Sequence, residues 1–211
     1  PNTNSSYGTS TDIICTETSL RKPLSLYAET KDAAETTVLY KPNGMAFRLA
    51  TVAGPSPRMR FDLLVQEFIR DAIVNGKISV FGPQYWRPLV HVQDISNACI
   101  SSIEADSEMI SGQIYNVGDN FQNYTKIALA EAVKEHLPYT EIEIQQLKKD
   151  PRNYKVSFDK IRSNLNYRIT KTVNDGIIEI LDEIKSGRLN PRETEFSNMS
   201  KLTENVKVFK V

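Results

Sequence analysis

The sequence predicts an α/β fold with a mostly parallel sheet, because strand-like and helix-like segments alternate through most of its 211 residues. The strand-like segments are short apolar runs, such as "MAFRLATVAG" (45–54). The helix-like segments are longer and amphipathic, such as "FDLLVQEFIRDAIVNG" (61–76), whose apolar residues recur at helical spacing. A helix between two strands returns the chain to the same end of the sheet, so neighbouring strands pair in parallel.

The elements follow in chain order, and residues at their ends justify their limits. Ser25 is a favourable N-cap and "KPNG" (41–44) is typical of a turn, which together bound the first helix. Gly76 ends the second helix, Asp94 is a favourable N-cap for the third, and Pro138 stops the fourth. The predicted elements are a strand end at 1–8, a turn-rich stretch at 9–24, a helix at 25–40, a strand at 45–54, a helix at 61–76, strands at 77–82 and 88–92, a helix at 93–105, a strand at 112–118, a helix within 123–137, a strand at 141–147, a strand and a helix over 155–167, and a helix at 172–187.

Composition excludes several classes of protein. The 26 basic and 26 acidic residues give a formal net charge of zero, so there is no basic excess to neutralise the phosphates of an obligate nucleic-acid partner. His91 and His136 are too few for a histidine-based metal site, and Cys15 and Cys99 match no metal-ligand spacing. We expect two reduced, buried or half-buried thiols in a cytoplasmic protein. No apolar run is long enough to span a membrane.

The stretch "SLYAETKDAAE" (25–35) sets Tyr27 four residues before Lys31, which places both on one face of the predicted helix. A nearby ammonium favours the phenolate, and a tyrosine whose pKa falls from about 10 towards neutrality becomes a usable general base. The spacing alone favours a solvated Tyr/Lys pair with no catalytic role. The segments on both sides of the pair reverse that preference.

These flanking segments stand in a characteristic order. They are "TNSSYG", "FRLATVAGP", "ISVFG", "YWRPLVHVQDIS" and "GQIYNVGD". Together with "YAETK", the ordered set resembles the extended short-chain dehydrogenase/reductases, and more narrowly their nucleotide-sugar epimerase/dehydratase group, from residue 1 to about residue 186. The resemblance implies the C-terminal part of a Rossmann-type parallel sheet plus a small α/β substrate-binding domain.

The resemblance also implies how the domains divide the chain. Residues 1–54 would be the C-terminal part of the NAD-binding Rossmann domain, with the Tyr-x-x-x-Lys helix, and residues 188–211 a tail. Between them the chain would cross into the substrate domain at 55–87, return to the Rossmann sheet at 88–118, and form the substrate-binding domain at 119–187. In this family the helix at 25–40 is part of a homodimer interface, so we expect a homodimer.

The resemblance assigns three catalytic residues. Tyr27 would be the acid/base, and Lys31 would hold the nicotinamide ribose and lower the tyrosine pKa, so both also bind the cofactor. Thr3, four residues before Tyr7, would hydrogen-bond the sugar oxygen that is oxidised. The implied cofactor is NAD, with NADP not excluded, and the implied reaction is hydride transfer through a 4-keto sugar.

The later segments are expected to bind the substrate, a nucleotide sugar. Arg87 matches a family arginine that contacts the diphosphate, for which a planar fork of donors is suited. Leu63 begins a helix whose N-terminal amides can face phosphate oxygens. The other expected contacts are Phe81 beside the base, although a plain core phenylalanine fits nearly as well, Arg152 at a second phosphate or the ribose, and Thr51 in the sugar pocket.

The sequence departs from the family pattern in three ways. Asn4 and Ser5 stand where 4,6-dehydratases carry an Asp-Glu pair, which disfavours dehydration. Thr51 replaces an asparagine of the galactose epimerases, which leaves the sugar open. No G-x-G-x-x-G or G-x-x-G-x-x-G loop occurs, so we expect this chain alone to bind NAD poorly.

The sequence therefore favours an NAD-dependent nucleotide-sugar epimerase and leaves two alternatives. One is a reductase or dehydrogenase acting on a nucleotide-linked keto sugar, which would show net redox change where an epimerase shows none. The other is a non-catalytic fragment that binds a nucleotide sugar or a partner subunit.

Overall fold

A computed structural model describes residues 1–146 and 151–193, without the side chains of residues 11–13. Leu147 of the predicted strand at 141–147 and residues 194–211 of the predicted tail lie outside the described residues. No helix in the described ranges is long and apolar enough to cross a membrane.

The described chain alternates strands and helices, as the sequence predicts. The strands are β1 (Asn2–Thr3), β2 (Thr9–Cys15), β3 (Ala46–Leu49), β4 (Thr51–Ala53), β5 (Lys77–Phe81), β6 (Trp86–His91), β7 (Ile114–Val117), β8 (Asn123–Thr125), β9 (Glu141–Gln145) and β10 (Asn153–Val156). The helices are α1 (Leu26–Leu39), α2 (Leu64–Asn75), α3 (Val92–Glu104), α4 (Ser107–Ile110), α5 (Lys126–His136), α6 (Asp159–Asn164) and α7 (Val173–Lys185), with short 3₁₀ turns at Asn4–Tyr7 and Asn120–Gln122.

The strands pair almost entirely in parallel. Their orders are β1-β3-β7, β4-β6-β8, β10-β2 and β5-β9, and only the β6–β8 pairing is antiparallel in the described chain. The predicted strand at 45–54 is divided at Ala50, and its halves β3 and β4 pair with β7 and β6 respectively. The predicted α/β class with a Rossmann-type parallel arrangement is confirmed.

The main difference from the sequence-based prediction is β2, which lies in the stretch predicted as turn-rich. β2 pairs in parallel with β10, so that Thr9 aligns with Asn153 and Cys15 with Val156. The segment "TSTDIIC" has little apolar alternation, and the strand that stabilises it is supplied from far along the chain. Of the two thiols, Cys15 is buried as expected and Cys99 is exposed.

The start of α3 also differs from the prediction. His91, not Asp94, is its N-cap, because His91 Nδ1 accepts the amide of Gln93 at 3.1 Å. The Asp94 carboxylate is fully buried and accepts the amide and hydroxyl of Thr170 at 2.8 and 2.7 Å. It also accepts the amide of Lys171, so Asp94 fastens the segment before α7 to α3.

Two apolar cores support the sheets. The first is formed by side chains of α2, α5 and α7 against β5 and β6, including Phe68, Ile69, Ile177 and Ile180. The second surrounds Tyr7, Tyr115 and the strands β7 and β10. Leu189 is buried in the first core, so ordered packing continues past residue 188.

A buried charge cluster, which we call the Arg48 network, joins β1, β3 and α1. Arg48 donates to both carboxylate oxygens of Glu35, from Nε at 3.0 Å and from Nη2 at 2.8 Å, and its Nη1 donates to the hydroxyl of Tyr7 at 2.9 Å. Glu35 also accepts Asn2 Nδ2 and, at 2.9 Å, Arg21 Nη1. The network therefore fixes the helix that carries Tyr27 to the strand that carries Thr3.

The pKa values of Tyr7 and Glu35, like that of Arg48, depart from their usual values. Burial raises the pKa of Tyr7 to about 12, although Arg48 and Asn116 act in the opposite direction. Burial would also raise the pKa of Glu35, but hydrogen bonds from Arg48 and Asn2, with the charges of Arg48 and Arg21, hold it below its usual value.

Candidate functional site

A cavity of about 1080 Å³ opens where β1, β4, β5, β6 and the N-termini of α1 and α2 meet. Its volume is in the range of sites that enclose small molecules. It brings together most of the predicted site residues. Those that line it are Thr3, Tyr27, Thr51, Leu63, Phe81, Arg87 and Arg152.

Thr3 stands at the end of β1 and caps the 3₁₀ turn that follows. Its Oγ1 accepts the amide of Ser5 at 3.1 Å, and its own amide donates to Asn2 Oδ1 at 2.8 Å. The hydroxyl therefore sits at the carboxyl end of a parallel strand, where ligands of open α/β sheets bind.

Tyr27 and Lys31 lie one turn apart on α1, as their spacing predicts. Ser25 Oγ accepts a hydrogen bond from the amide of Ala28 at 3.2 Å, so Ser25 is the N-cap of α1 and stands two residues before Tyr27. Tyr27 is 57% exposed and lines the cavity. Lys31 is not among the lining residues; its Nζ donates to the carbonyl of Pro1 at 2.7 Å, beside the start of β1.

Thr51 and Leu63 both line the cavity. Thr51 begins β4, which pairs with β6 so that Thr51 aligns with Leu89. Leu63 is the N-cap of α2 and makes no side-chain cap hydrogen bond, since it has no polar side chain. The amides of the first turn of α2 therefore need a hydrogen-bond acceptor other than the Leu63 side chain. Because of these amides and the helix dipole, the N-terminus of α2 is a favourable place for an anion.

Phe81 and Arg87 come from the adjoining strands β5 and β6. Phe81 is the last residue of β5 and is half-buried. Arg87 is buried; its Nη1 donates to the carbonyl of Trp86 at 2.8 Å and to that of Arg152, and its guanidinium lies 5.4 Å from the ring centre of Tyr154. These contacts hold the Arg87 guanidinium in one orientation at the cavity wall.

Arg152 lines the cavity and contacts the turn that follows Thr3. Its Nη1 donates to Ser5 Oγ at 2.9 Å, and Ser5 is itself a lining residue. Sequence reasoning placed Arg152 at a phosphate or the ribose, and it treated Ser5 only as the replacement of an acid. The hydrogen bond between them depends on a fold that brings residues 5 and 152 together, which no local pattern signals.

Sequence reasoning also missed Lys126 and the pairing of Arg60. Lys126 begins α5 and is only 4% exposed, yet it lines the cavity, with Nζ 5.9 Å from the ring centre of Tyr85. A lysine in the first turn of a helix opposes the helix dipole, and that misplacement is the signal by which it was detectable. Arg60 donates from Nε and Nη2 to the two carboxylate oxygens of Asp62, each at 3.0 Å, at the cavity edge.

The residues present fit one half of a nicotinamide cofactor. A phenol and an ammonium one helical turn apart, beside the end of β1, offer donors for the nicotinamide ribose. The sequence contains no glycine-rich turn to receive the pyrophosphate. The residues that the site offers are therefore those suited to the reactive end of the cofactor.

The arrangement can support proton transfer beside a bound anion. Tyr27 and Thr3 contribute two hydroxyl groups to the lining of the cavity. Arg87, Lys126 and the N-terminus of α2 offer cationic or dipolar donors along its walls. A molecule with an alcohol at one end and a phosphate at the other matches this distribution.

The fold is shared with solved enzymes of nucleotide-sugar metabolism. The structure of UDP-glucose 4-epimerase from Thermotoga maritima, with UDP-glucose, matches with a TM-score of 0.76 at 20% identity, covering 89% of this chain and 63% of that one. The NAD complex of UDP-glucuronic acid 4-epimerase from Bacillus cereus matches with a TM-score of 0.74 at 22% identity, covering 89% and 61%. The NAD complex of dTDP-glucose 4,6-dehydratase from Bacillus anthracis also matches with a TM-score of 0.74 at 22% identity, covering 89% of this chain and 61% of that one.

These proteins are longer than this chain, which spans less than two thirds of the length of each. At such identities the likeness establishes the fold. The family is established separately, by a family model that matches residues 1–118, more than half of the chain. The chain belongs to the NAD dependent epimerase/dehydratase family.

Proposed function

We propose that this protein is an NAD-dependent epimerase of a nucleotide sugar, which acts through a 4-keto intermediate with Tyr27 as acid/base. The observation that carries the proposal is the convergence of Thr3, Tyr27 and Arg87 on one cavity of about 1080 Å³. A pair of hydroxyls and a buried arginine in the cavity lining suit a sugar held by its diphosphate.

Each residue has a definite task in this mechanism. Tyr27 takes the proton of the sugar hydroxyl and later returns it, while the Thr3 hydroxyl hydrogen-bonds the same oxygen. Lys31 favours the phenolate form of Tyr27 and, with it, holds the nicotinamide ribose. The chemistry that a bound NAD would supply is transfer of a hydride from the sugar carbon and back to its opposite face, without net oxidation.

The substrate is held along the rest of the cavity. Arg87 and the N-terminal amides of α2 after Leu63 bind the diphosphate. Phe81 lies against the base and Thr51 against the sugar. Arg152 completes the set of cationic contacts.

One observation favours epimerisation over dehydration. Asn4 and Ser5 supply no carboxylate beside Thr3, which argues against a dehydratase. A reductase of a keto sugar would use the same Tyr27 and differs by consuming NADH or NADPH, so the cofactor balance distinguishes the two reactions. The remaining candidate is a non-catalytic nucleotide-sugar-binding protein, which would bind a nucleotide and show no turnover.

The binding half of the proposal is tested by thermal shift with UDP, GDP, CDP, dTDP and NAD in separate wells. A ligand at a hundredfold excess over its Kd adds about 2.7 kcal/mol of stability. We expect one nucleoside diphosphate to raise the Tm of the wild-type protein, and Arg87→Ala to abolish that shift. Arg162→Ala, at an exposed position away from the cavity, is the control. No shift with any nucleotide would contradict the proposal.

A homodimer through α1 is part of the same proposal. Leu26 and Tyr40, at the two ends of α1, are 75% and 85% exposed, and Val38 is 41% exposed. Exposed apolar side chains of this kind along one helix are typical of an interface. Val38→Asp is expected to shift the protein from dimer to monomer in analytical ultracentrifugation, and a wild-type monomer would refute the interface.

A further inference from the structure

Strand β9 has one edge that no strand of the described chain covers. In the described ranges β5 and β9 form a two-stranded parallel sheet. The amide of Glu141 donates to the carbonyl of Gly76 at 2.9 Å, on the β5 side. Backbone groups of successive residues in a strand point to opposite edges, so the amides of Ile142 and Ile144 point to the open edge of β9. A row of backbone donors and acceptors of this kind is a template for a further strand.

The side chains of β9 give this edge one apolar face and one acidic face. Ile142 is half-buried and packs against the first core, whereas Ile144, on the same face, is 60% exposed. Glu141 and Glu143 lie on the opposite face, and Glu143 pairs with Lys77 at 3.1 Å. Two carboxylates against one ammonium leave an excess of negative charge on β9. A strand that fits this edge therefore alternates apolar residues with a basic one.

The end of the sequence has this pattern. Residues 206–211, "VKVFKV", lie outside the described residues, and they contain two lysines and no acidic side chain. Valine and phenylalanine favour strands. If Val206 and Val208 share the face of Ile144, Lys207 falls on the face of the two glutamates, because side chains alternate along a strand.

The described part of the chain ends at the core against which β9 packs. Leu189 is buried in the first core, and Ile142 packs against the same core. Residues 194–205 separate Glu193, the last described residue, from Val206. Fully extended, this connection spans up to about 40 Å, which is about the diameter of a domain of this size. The connection is therefore long enough to bring the end of the chain to β9.

We propose that residues 206–211 dock on the open edge of β9 as a third strand of the β5–β9 sheet. Main-chain hydrogen bonds attach the segment, its valines cover Ile144, and Lys207 meets the carboxylates. β9 of a second copy suits this edge less well, because it brings like charges opposite each other. Since β5 ends at Phe81, which lines the cavity, the added strand also supports the cavity wall.

Amide hydrogen exchange followed by NMR tests the docking, on the 211-residue chain and on a chain that ends at Asn205. We expect the Ile144 amide to exchange about tenfold or more faster in the shortened chain, because its hydrogen bond at the open edge is lost. The Glu143 amide points to β5 and is the internal control. Its exchange should change little, which also shows that the shortened chain is folded.

The charge pairing is tested in the full chain. Lys207→Glu should accelerate the exchange of the Ile144 amide, whereas Lys201→Glu, the same change outside the proposed strand, should not. Adding Glu141→Lys to Lys207→Glu restores opposite charges and should return the exchange towards the wild-type rate. A double variant that exchanges faster than Lys207→Glu alone would overturn the pairing of Lys207 with the acidic face.

Three outcomes would overturn the docking itself. The first is equal exchange of the Ile144 amide in the full and shortened chains. The second is an equal acceleration at Glu143, which would show general loosening and not the loss of one strand. The third is protection of Ile144 that rises with protein concentration, which would assign the edge to a second copy. None of these measurements needs a nucleotide or turnover, so their result is independent of the proposed function.

Discussion

Replacing Arg48 with methionine is the sharpest test of how the catalytic elements are held together. Arg48 is buried on β3 and makes two hydrogen bonds to Glu35, one to Tyr7 and one to the carbonyl of Glu17. Methionine keeps much of the side-chain length and volume and removes all four. The Glu35 carboxylate then stays buried with Asn2 and the half-buried Arg21 as its partners.

The magnitude follows from what remains around Glu35. Breaking a buried ion pair by removing one partner costs about 3–5 kcal/mol. Because Glu35 keeps Arg21 and Asn2, we expect the lower end, about 3 kcal/mol, from a total that is about 5–15 kcal/mol for typical domains. Adding Glu35→Gln to Arg48→Met removes the uncompensated charge, so the double variant should be less destabilised than the two single losses added together.

Urea unfolding at pH 7 measures the free energy, and Lys77→Met supplies the control. Lys77 pairs with Glu143 at 3.1 Å on the surface, where such a pair contributes about 0–1 kcal/mol. If Arg48→Met costs no more than Lys77→Met, the claim that the Arg48 network carries stability is refuted. Because Glu35 joins α1 to β1, Arg48→Met should also reduce turnover by moving Tyr27 relative to Thr3.

Three further predictions follow from single residues. Tyr27→Phe should reduce epimerase turnover at least a hundredfold in the protein expressed from its complete gene and supplied with NAD, because the acid/base is lost. Tyr139→Phe, at a fully exposed position, is the control and should keep its turnover. Retained activity in the first variant would exclude Tyr27 as acid/base. The pKa of Tyr7 is raised to about 12, so the unfolded state loses the phenol proton at a lower pH than the folded state does. The free energy of unfolding should therefore fall by about 2.7 kcal/mol as the pH rises from 10 to about 12. An equally steep decline in a Tyr7→Phe variant would contradict this. Gly54 has φ +99°, and a Cβ there would lie 2.5 Å from His91 Nε2, whereas Gly187 has φ +77° and open space around it. Gly54→Ala should therefore lower the Tm by clearly more than Gly187→Ala. Equal changes in Tm would argue against the clash.

The elements with regular local patterns were predictable from the sequence. Helix α2 shows apolar residues at helical spacing and a glycine end, and Gly76 adopts the left-handed conformation that this stop requires. Ser25 caps α1 as its chemistry predicts. In these places the information lies within a few residues of the element.

The features that escaped prediction depend on distant partners. Asp94 has the chemistry of an N-cap, but its carboxylate instead accepts hydrogen bonds from three donors of Thr170 and Lys171. These distant residues, and not the start of α3, determine its position. The Ser5–Arg152 hydrogen bond and the burial of Lys126 arise only once the cavity is assembled. The roles assigned to Thr3, Tyr27 and Arg87 from the resemblance stay predictions until the variants are measured.

The pairing of β2 with β10 has a consequence for biosynthesis. Strand β2 is made near the beginning of this sequence. Its partner β10 follows about 140 residues later, which takes about 7 to 28 seconds at ribosomal rates of about 5–20 residues per second. During that interval the β10 side of β2 has no partner strand, and contacts of such high sequence separation form slowly. Arg152 and Asn153 reach their places only when this last pairing closes, so the nascent protein completes the cavity late, after the helices around it have already been translated.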